Sequence, residues 1–178
     1  MADLVGLTGK SGTGKTKVCQ QIVEAAKSAG FSVFGFYCPA VFDGEEKIAI
    51  EVRLLPAGET YLLGSLEKHE NWQPIGRWWM DPGVFDLVND HLKQFEGSDL
   101  LLIDEIGPAE IEDHQGWTMA MKLLKENQYK LGIVSFRPAY IQLFKDTFQG
   151  IKVIDLAKGS ESDLQNLIER FCKPSLWV

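Results

Sequence analysis

Short apolar runs alternate along this chain with segments whose apolar residues recur every three or four positions. Residues 4–8 form a mostly apolar stretch that stops at Gly9 and a Gly-rich loop, after which Val18, Ile22, Ala26 and Ala29 fall at helical spacing. The order predicted is strand, loop, helix. Ala29-Gly30 supplies a helix stop, and residues 31–41, rich in aromatic and β-branched side chains, read as a buried strand. Asp43-Gly44 signals a turn, so residues 33–41 and 47–55 are expected to pair as a hairpin, with a further strand near residues 59–63.

Asp81-Pro82 has the form of an N-cap followed by proline at the first helical position, and Val84, Val88, Leu92 and Phe95 line one face of the helix that follows. Residues 100–103 are wholly apolar and end in Asp104-Glu105. Helical spacing returns over residues 116–127, then a strand over 131–136 is broken by Pro138. A short helix near 139–146, a strand near 151–155 and a terminal helix begun by Ser160-x-x-Asp163 complete the pattern. The alternation predicts an α/β three-layer sandwich around a mostly parallel sheet, with the β-hairpin as an insertion. No repeat or linker divides the chain, so a single domain spanning residues 1–178 is expected.

Charge and cysteine usage narrow the partners. Eighteen Lys and Arg against 25 Asp and Glu leave a net charge of -7, which argues against an extended nucleic-acid surface. Cys19, Cys38 and Cys172 are odd in number and far apart, suggesting neither a disulfide framework nor zinc. His69, His91 and His114 lack metal-ligand spacing and read as surface or capping residues. With no basic leader before Thr8, and no apolar run near the ~20 residues that cross a bilayer, a cytoplasmic location without a membrane partner is expected.

The chemistry is concentrated in two places. Gly9-Lys10-Ser11-Gly12-Thr13-Gly14-Lys15-Thr16 satisfies G-x-x-x-x-G-K-[ST] between a predicted strand and helix, the context a phosphate loop requires. Glycines let successive N–H groups turn toward phosphate oxygens, and the helix adds its positive end. The ligand expected is a nucleoside triphosphate such as ATP or GTP, with Mg2+. Lys15 should reach the β and γ phosphates, while the Thr16 hydroxyl and the Asp104 carboxylate should hold the metal. Glu105, one position on, is placed to orient or deprotonate an attacking water, which favours hydrolysis to diphosphate and phosphate. Asp104-x-x-Gly107 also matches the switch pattern of small GTP-binding proteins, but no N/T-K-x-D sequence follows to read guanine.

Arg53, Arg77, Arg137 and Arg170 are the only arginines. Arg137 follows residues 131–136 and is the first candidate to neutralise transition-state charge, with Ser135 beside it as a sensor of the γ phosphate. Arg77 is a second candidate for a phosphate or base contact, and it shares its segment with Trp72, Trp78 and Trp79, a cluster that suits core packing, a lid over the nucleotide or the surface for an unidentified protein partner. Two alternatives to hydrolysis use the same loop: a kinase for a nucleoside or small metabolite, and a nucleotide-dependent switch or adapter.

Taken together, these residues resemble the THEP-type nucleoside-triphosphatase family. The resemblance is carried by the phosphate loop, by Gly35-Phe36-Tyr37, by Gly76-Arg77-Trp78 and by Asp104-Glu105-Ile106-Gly107-Pro108-Ala109-Glu110, in order across roughly the first 140 residues. It implies a magnesium-dependent P-loop NTPase of relaxed base preference, built on a RecA-like sheet. It also implies Lys15 and Thr16 on phosphates and magnesium, Asp104 on magnesium and Glu105 on the water. Ala109, Lys17 and the aromatic Trp78-Trp79-Met80 depart from the family's usual residues.

Overall fold

The computed structural model describes residues 3–112 and 115–158, together with Asp163, Asn166, Leu167 and Glu169. Strand β1 (Asp3–Thr8) runs through the glycine loop into helix α1 (Lys15–Ser28). Six strands follow: β2 (Val33–Tyr37), β3 (Ala40–Asp43), β4 (Glu46–Leu55), β5 (Thr60–Ser65), β6 (Gln73–Ile75) and β7 (Trp78–Met80). Helix α2 (Pro82–Leu92) then leads to β8 (Ser98–Ile106), α3 (Pro108–Ile111), α4 (Ala120–Glu126), β9 (Tyr129–Phe136), α5 (Ile141–Thr147) and β10 (Lys152–Asp155).

These strands share one sheet in the order β10-β1-β9-β8-β2-β4-β5-β7-β6, with β3 beside β4. It is an α/β fold with a mixed sheet. The neighbours from β10 to β2 are all parallel. From β4 outward every pairing is antiparallel, which gives the sheet a second region, an arm, larger than one hairpin.

The parallel region is covered on both faces, which explains why Leu100 to Ile103 are all apolar rather than alternating. Leu100 and Leu102 join Val5, Leu7 and Ile22 of α1's side, whereas Leu101 and Ile103 join Val84, Val88 and Leu124 under α2 and α4. Each such fully buried side chain contributes ~1.5–3 kcal/mol. Gly35 marks the seam between the two regions. Its φ of 110° and its approach to β8 leave no room for a side chain, since a Cβ there would run into the Leu102 carbonyl.

Three local expectations are revised by tertiary context. The run at residues 31–41 divides at Cys38-Pro39, because proline has no N–H for a ladder, and both halves pair with β4. Residues 73–80 form the small β6–β7 hairpin, which three-residue strands and Pro74 conceal from sequence patterning. The helix expected from residue 116 begins only at Ala120, because Trp117 is buried against Phe36 and Phe85 and Asn89 ties down the preceding turn. The Asn89 amide donates to the Gly116 carbonyl at 2.7 Å and accepts from the Met119 N–H at 3.1 Å. Asp81 caps α2 by accepting from the Gly83 N–H at 2.9 Å. The terminal helix expected from Ser160-x-x-Asp163 lies outside the described residues, apart from isolated positions.

Candidate active site

Parallel register brings several strand ends to one edge. Thr8 at the end of β1 is level with Phe136 of β9 and Asp155 of β10, and Ile106 of β8 is level with Phe136. Loops beyond the carboxyl ends of parallel strands are where such sheets bind ligands. Here that edge carries the glycine loop. Gly12 and Gly14 adopt left-handed φ values of 83° and 89°, which fold the loop back to start α1. The Thr13 hydroxyl closes it by donating to the Lys10 carbonyl at 2.8 Å. Lys15 is buried, and its ammonium donates to the Gly9 and Lys10 carbonyls at 2.8 and 3.1 Å. The positive charge therefore lies within the loop, beside the amino-terminal end of a 14-residue helix.

Asp104 faces this loop from β8. The register between β8 and β9 shifts between Ile103 and Ile106, and Glu105 takes a left-handed φ of 66°. The irregularity sends two adjacent carboxylates into different environments. Asp104 is fully buried. Its Oδ2 accepts from the Thr16 hydroxyl at 2.8 Å and from the Cys38 N–H at 3.0 Å, and its Oδ1 accepts from the Ser135 hydroxyl at 2.6 Å. Ser135 in turn accepts from the Glu105 N–H at 2.8 Å. Burial and the nearby Asp104 charge push the Cys19 and Cys38 thiols up, so both stay protonated near neutrality.

Glu105 instead points to the open edge, where its side chain is 49% exposed and the Arg137 guanidinium lies 3.9 Å away. An exposed pair at this distance adds little stability, so its value lies in position. The expectation for Ser135 is corrected: its hydroxyl is buried between Asp104 and the Glu105 backbone rather than presented to a phosphate. The Cys38 N–H was absent from the sequence reading, because a backbone donor carries no residue-type signal.

The other described arginines belong to the antiparallel arm. Arg53 contacts Tyr37 and Thr60, and Arg77 lies over Trp78. Trp78 and Trp79 are built into β7, so they belong to the sheet rather than to a free lid, and Trp72 stacks on His69. His91 is not a simple surface residue: it is partly buried and stacks on Phe34 at 4.4 Å. Arg170, Cys172 and His114 lie outside the described residues. Glu110 shapes the loop after β8 by accepting from the Gly107 and Trp117 N–H groups at 2.8 and 3.1 Å. Burial raises its carboxyl above the ordinary value despite these bonds.

No cluster of three or more His, Cys, Asp or Glu side chains suited to a metal occurs among the described residues. The Thr16 hydroxyl and Asp104 carboxylate nevertheless present hard oxygens 2.8 Å apart beside the loop. That donor set suits Mg2+, which takes one or two protein oxygens and completes its octahedron with phosphate and water.

The sequence model of the NTPase family matches residues 4–168. The chain belongs to the NTPase family. Among its relatives, nucleoside-triphosphatase THEP1 of Methanopyrus kandleri is 29% identical over 111 residues, which cover 62% of this chain and 61% of that protein. The THEP1 of Sulfurisphaera tokodaii is 31% identical over 107 residues, covering 60% and 62%. The matched region thus spans about three fifths of the length of these curated relatives. The solution structure of a human cancer-related nucleoside triphosphatase superposes with a TM-score of 0.69 at 22% identity, covering 94% of this chain and 96% of the other. The crystal structure of THEP1 from Aquifex aeolicus superposes with a TM-score of 0.70 at 16% identity, covering 96% and 99%. At these identities the superpositions establish a shared fold for this NTPase-family chain.

Proposed function

We propose that this chain hydrolyses nucleoside 5'-triphosphates to diphosphate and phosphate with Mg2+, and does so with little base preference. One observation carries the proposal: Asp104 is buried on Thr16 of the glycine loop, while adjacent Glu105 is turned out to the open edge. In this reading Asp104 faces the metal and Glu105 faces the attacking water. Residues 9–14 line the phosphates with backbone N–H groups. Lys15 exchanges its two loop carbonyls for β and γ phosphate oxygens. Bound Mg2+, held by Thr16 and Asp104, supplies neutralisation of charge on the phosphates.

Glu105 accepts a proton from water as the water oxygen bonds to the γ phosphorus. The bond from that phosphorus to the β–γ bridging oxygen breaks, and its electron pair stays on the diphosphate. The Ser135 hydroxyl holds the Glu105 backbone N–H, so the direction of the carboxylate is set by the sheet. Arg137, on the same edge, offsets negative charge on the departing group. Breadth of base choice is supported by the generic name nucleoside-triphosphatase borne by the relatives. We assign residues 1–178 to one domain, supported by a family match from residue 4 to residue 168 and one continuous sheet. No helix among the described residues is long and apolar enough to cross a membrane.

The test is phosphate release from ATP, GTP, CTP and UTP, with and without Mg2+, by the wild type and by Lys15→Ala. Release that needs Mg2+ and varies less than tenfold among the four is expected. Wild-type release no greater than that of the variant on every nucleotide overturns the proposal.

A further inference from the structure

A cavity of about 810 Å3 opens between the glycine loop and the antiparallel arm. This is within the ~300–1,000 Å3 typical of small-molecule sites. One end is formed by Ser11, Glu105 and Arg137. No residue from Thr13 to Lys17 lines it, although the start of α1 is where the α phosphate and nucleoside belong in the proposed site. The cavity therefore opens on the side of the glycine loop away from the start of α1.

Its far end is chemically distinct. Lys47 on β4 and Arg77 in the β6–β7 turn both lie over Trp78, with the ammonium 5.2 Å and the guanidinium 4.7 Å from the ring centroid. Arg77 also donates to the Lys47 carbonyl at 3.3 Å. Two cations are thus gathered on one indole, and among the described residues neither forms a salt bridge to a carboxylate. Burial lowers the Lys47 ammonium from its ordinary value; the Glu105 charge opposes that shift, and the Arg77 charge adds to it. An anion placed between them relieves both costs. Phe85 and Trp117 are among its apolar lining residues.

We propose that this cavity is a second small-molecule site for an organic anion. Its carboxylate, sulfonate or phosphate monoester group sits between Lys47 and Arg77, and its flat apolar body lies against Phe85 and Trp117. The body extends toward Glu105, so occupancy displaces water there and slows phosphate release; this last consequence rests on the proposed hydrolysis.

The probe is 1-anilinonaphthalene-8-sulfonate, a sulfonate on fused rings, titrated by fluorescence without nucleotide. One saturable site is expected on the full chain, with equal affinity in Lys15→Ala. The double variant Lys47→Ala/Arg77→Ala should bind at least tenfold more weakly, and Lys47→Arg should bind within threefold of wild type. N-phenyl-1-naphthylamine, which lacks the sulfonate, should also bind at least tenfold more weakly. Equal probe affinity in wild type and double variant, or in the neutral amine, overturns the site. Weakening by Lys15→Ala places the probe in the phosphate loop instead and overturns the location. These readings need no turnover, so failure of the hydrolytic proposal leaves them intact. Phosphate release from ATP should fall with the half-saturation of probe binding, and constant release at saturating probe overturns the reach toward Glu105.

Discussion

In the parallel region of the sheet, charge is taken inside and met by partners: Asp104 receives hydrogen bonds from Thr16, Cys19, Cys38 and Ser135, and the Lys15 ammonium is held by two carbonyls. In the antiparallel arm, Lys47, Lys68 and Arg77 instead spread over the faces of Trp78 and Trp79. A buried charge is tolerated only when its hydrogen-bonding capacity is met, and that requires donors arriving from several directions. Convergent strand ends provide them in the parallel region. The outer strands of the arm, β6 and β7, are three residues long, and the charges beside them lie over aromatic surfaces. The first region is suited to a fixed reaction centre, and the second to contacts that differ with the ligand.

The largest effect expected is for Lys15→Ala, which should lower phosphate release by about 10²-fold or more, as loss of a preorganised charge partner does. Retention of a tenth of wild-type turnover would break the assignment of chemistry to the parallel region. Glu105→Gln should cost about 10²-fold in turnover, the lower range for a positioned base, with nucleotide affinity held within threefold. Parallel loss of affinity and turnover would make Glu105 a binding group. At the seam, Gly35→Ala should destabilise by about 2 kcal/mol or more, because its Cβ meets the Leu102 carbonyl and its φ is left-handed. Thermal denaturation measures this directly, and an unchanged midpoint would show that the two regions are not tightly joined there.

Ser135→Ala should cost about 1–2 kcal/mol, since Asp104 Oδ1 and the Glu105 N–H lose their partner together. Equal denaturation midpoints for variant and wild type would count against a preformed Asp104 socket. The smallest effect concerns Glu110, where the arm's cavity meets the parallel region. Burial raises its folded carboxyl above the ordinary 4.5, so the folded chain keeps a proton that the unfolded chain has released. The associated stabilisation is complete below the unfolded value and is lost as pH rises through the folded one. The midpoint of wild type relative to Glu110→Gln should therefore fall as pH rises above 4.5 and then level off. A relative midpoint that rises over the same range contradicts the shift.

Much of the parallel region was legible in the sequence because its signals are local. The glycine loop is eight consecutive residues, the Asp81-Pro82 cap is two, and an apolar run that feeds two cores needs no long-range information to be recognised as a buried strand. The arm was less legible, since Cys38-Pro39 divides one predicted strand and Pro74 hides another.

By itself the sequence determined the glycine loop, the alternation of strands and helices, and the identity of the two neighbouring acids, because each is written in contiguous residues with fixed spacing. Only the tertiary structure decided that Asp104 turns inward and Glu105 outward, that Thr16 and Asp104 meet across 88 positions, and that Lys47 and Arg77 share one indole. The physical reason is that these arrangements depend on strand register, a bulge and backbone donors from separate segments. Such groups are the same in every residue, and only folding gives them an address.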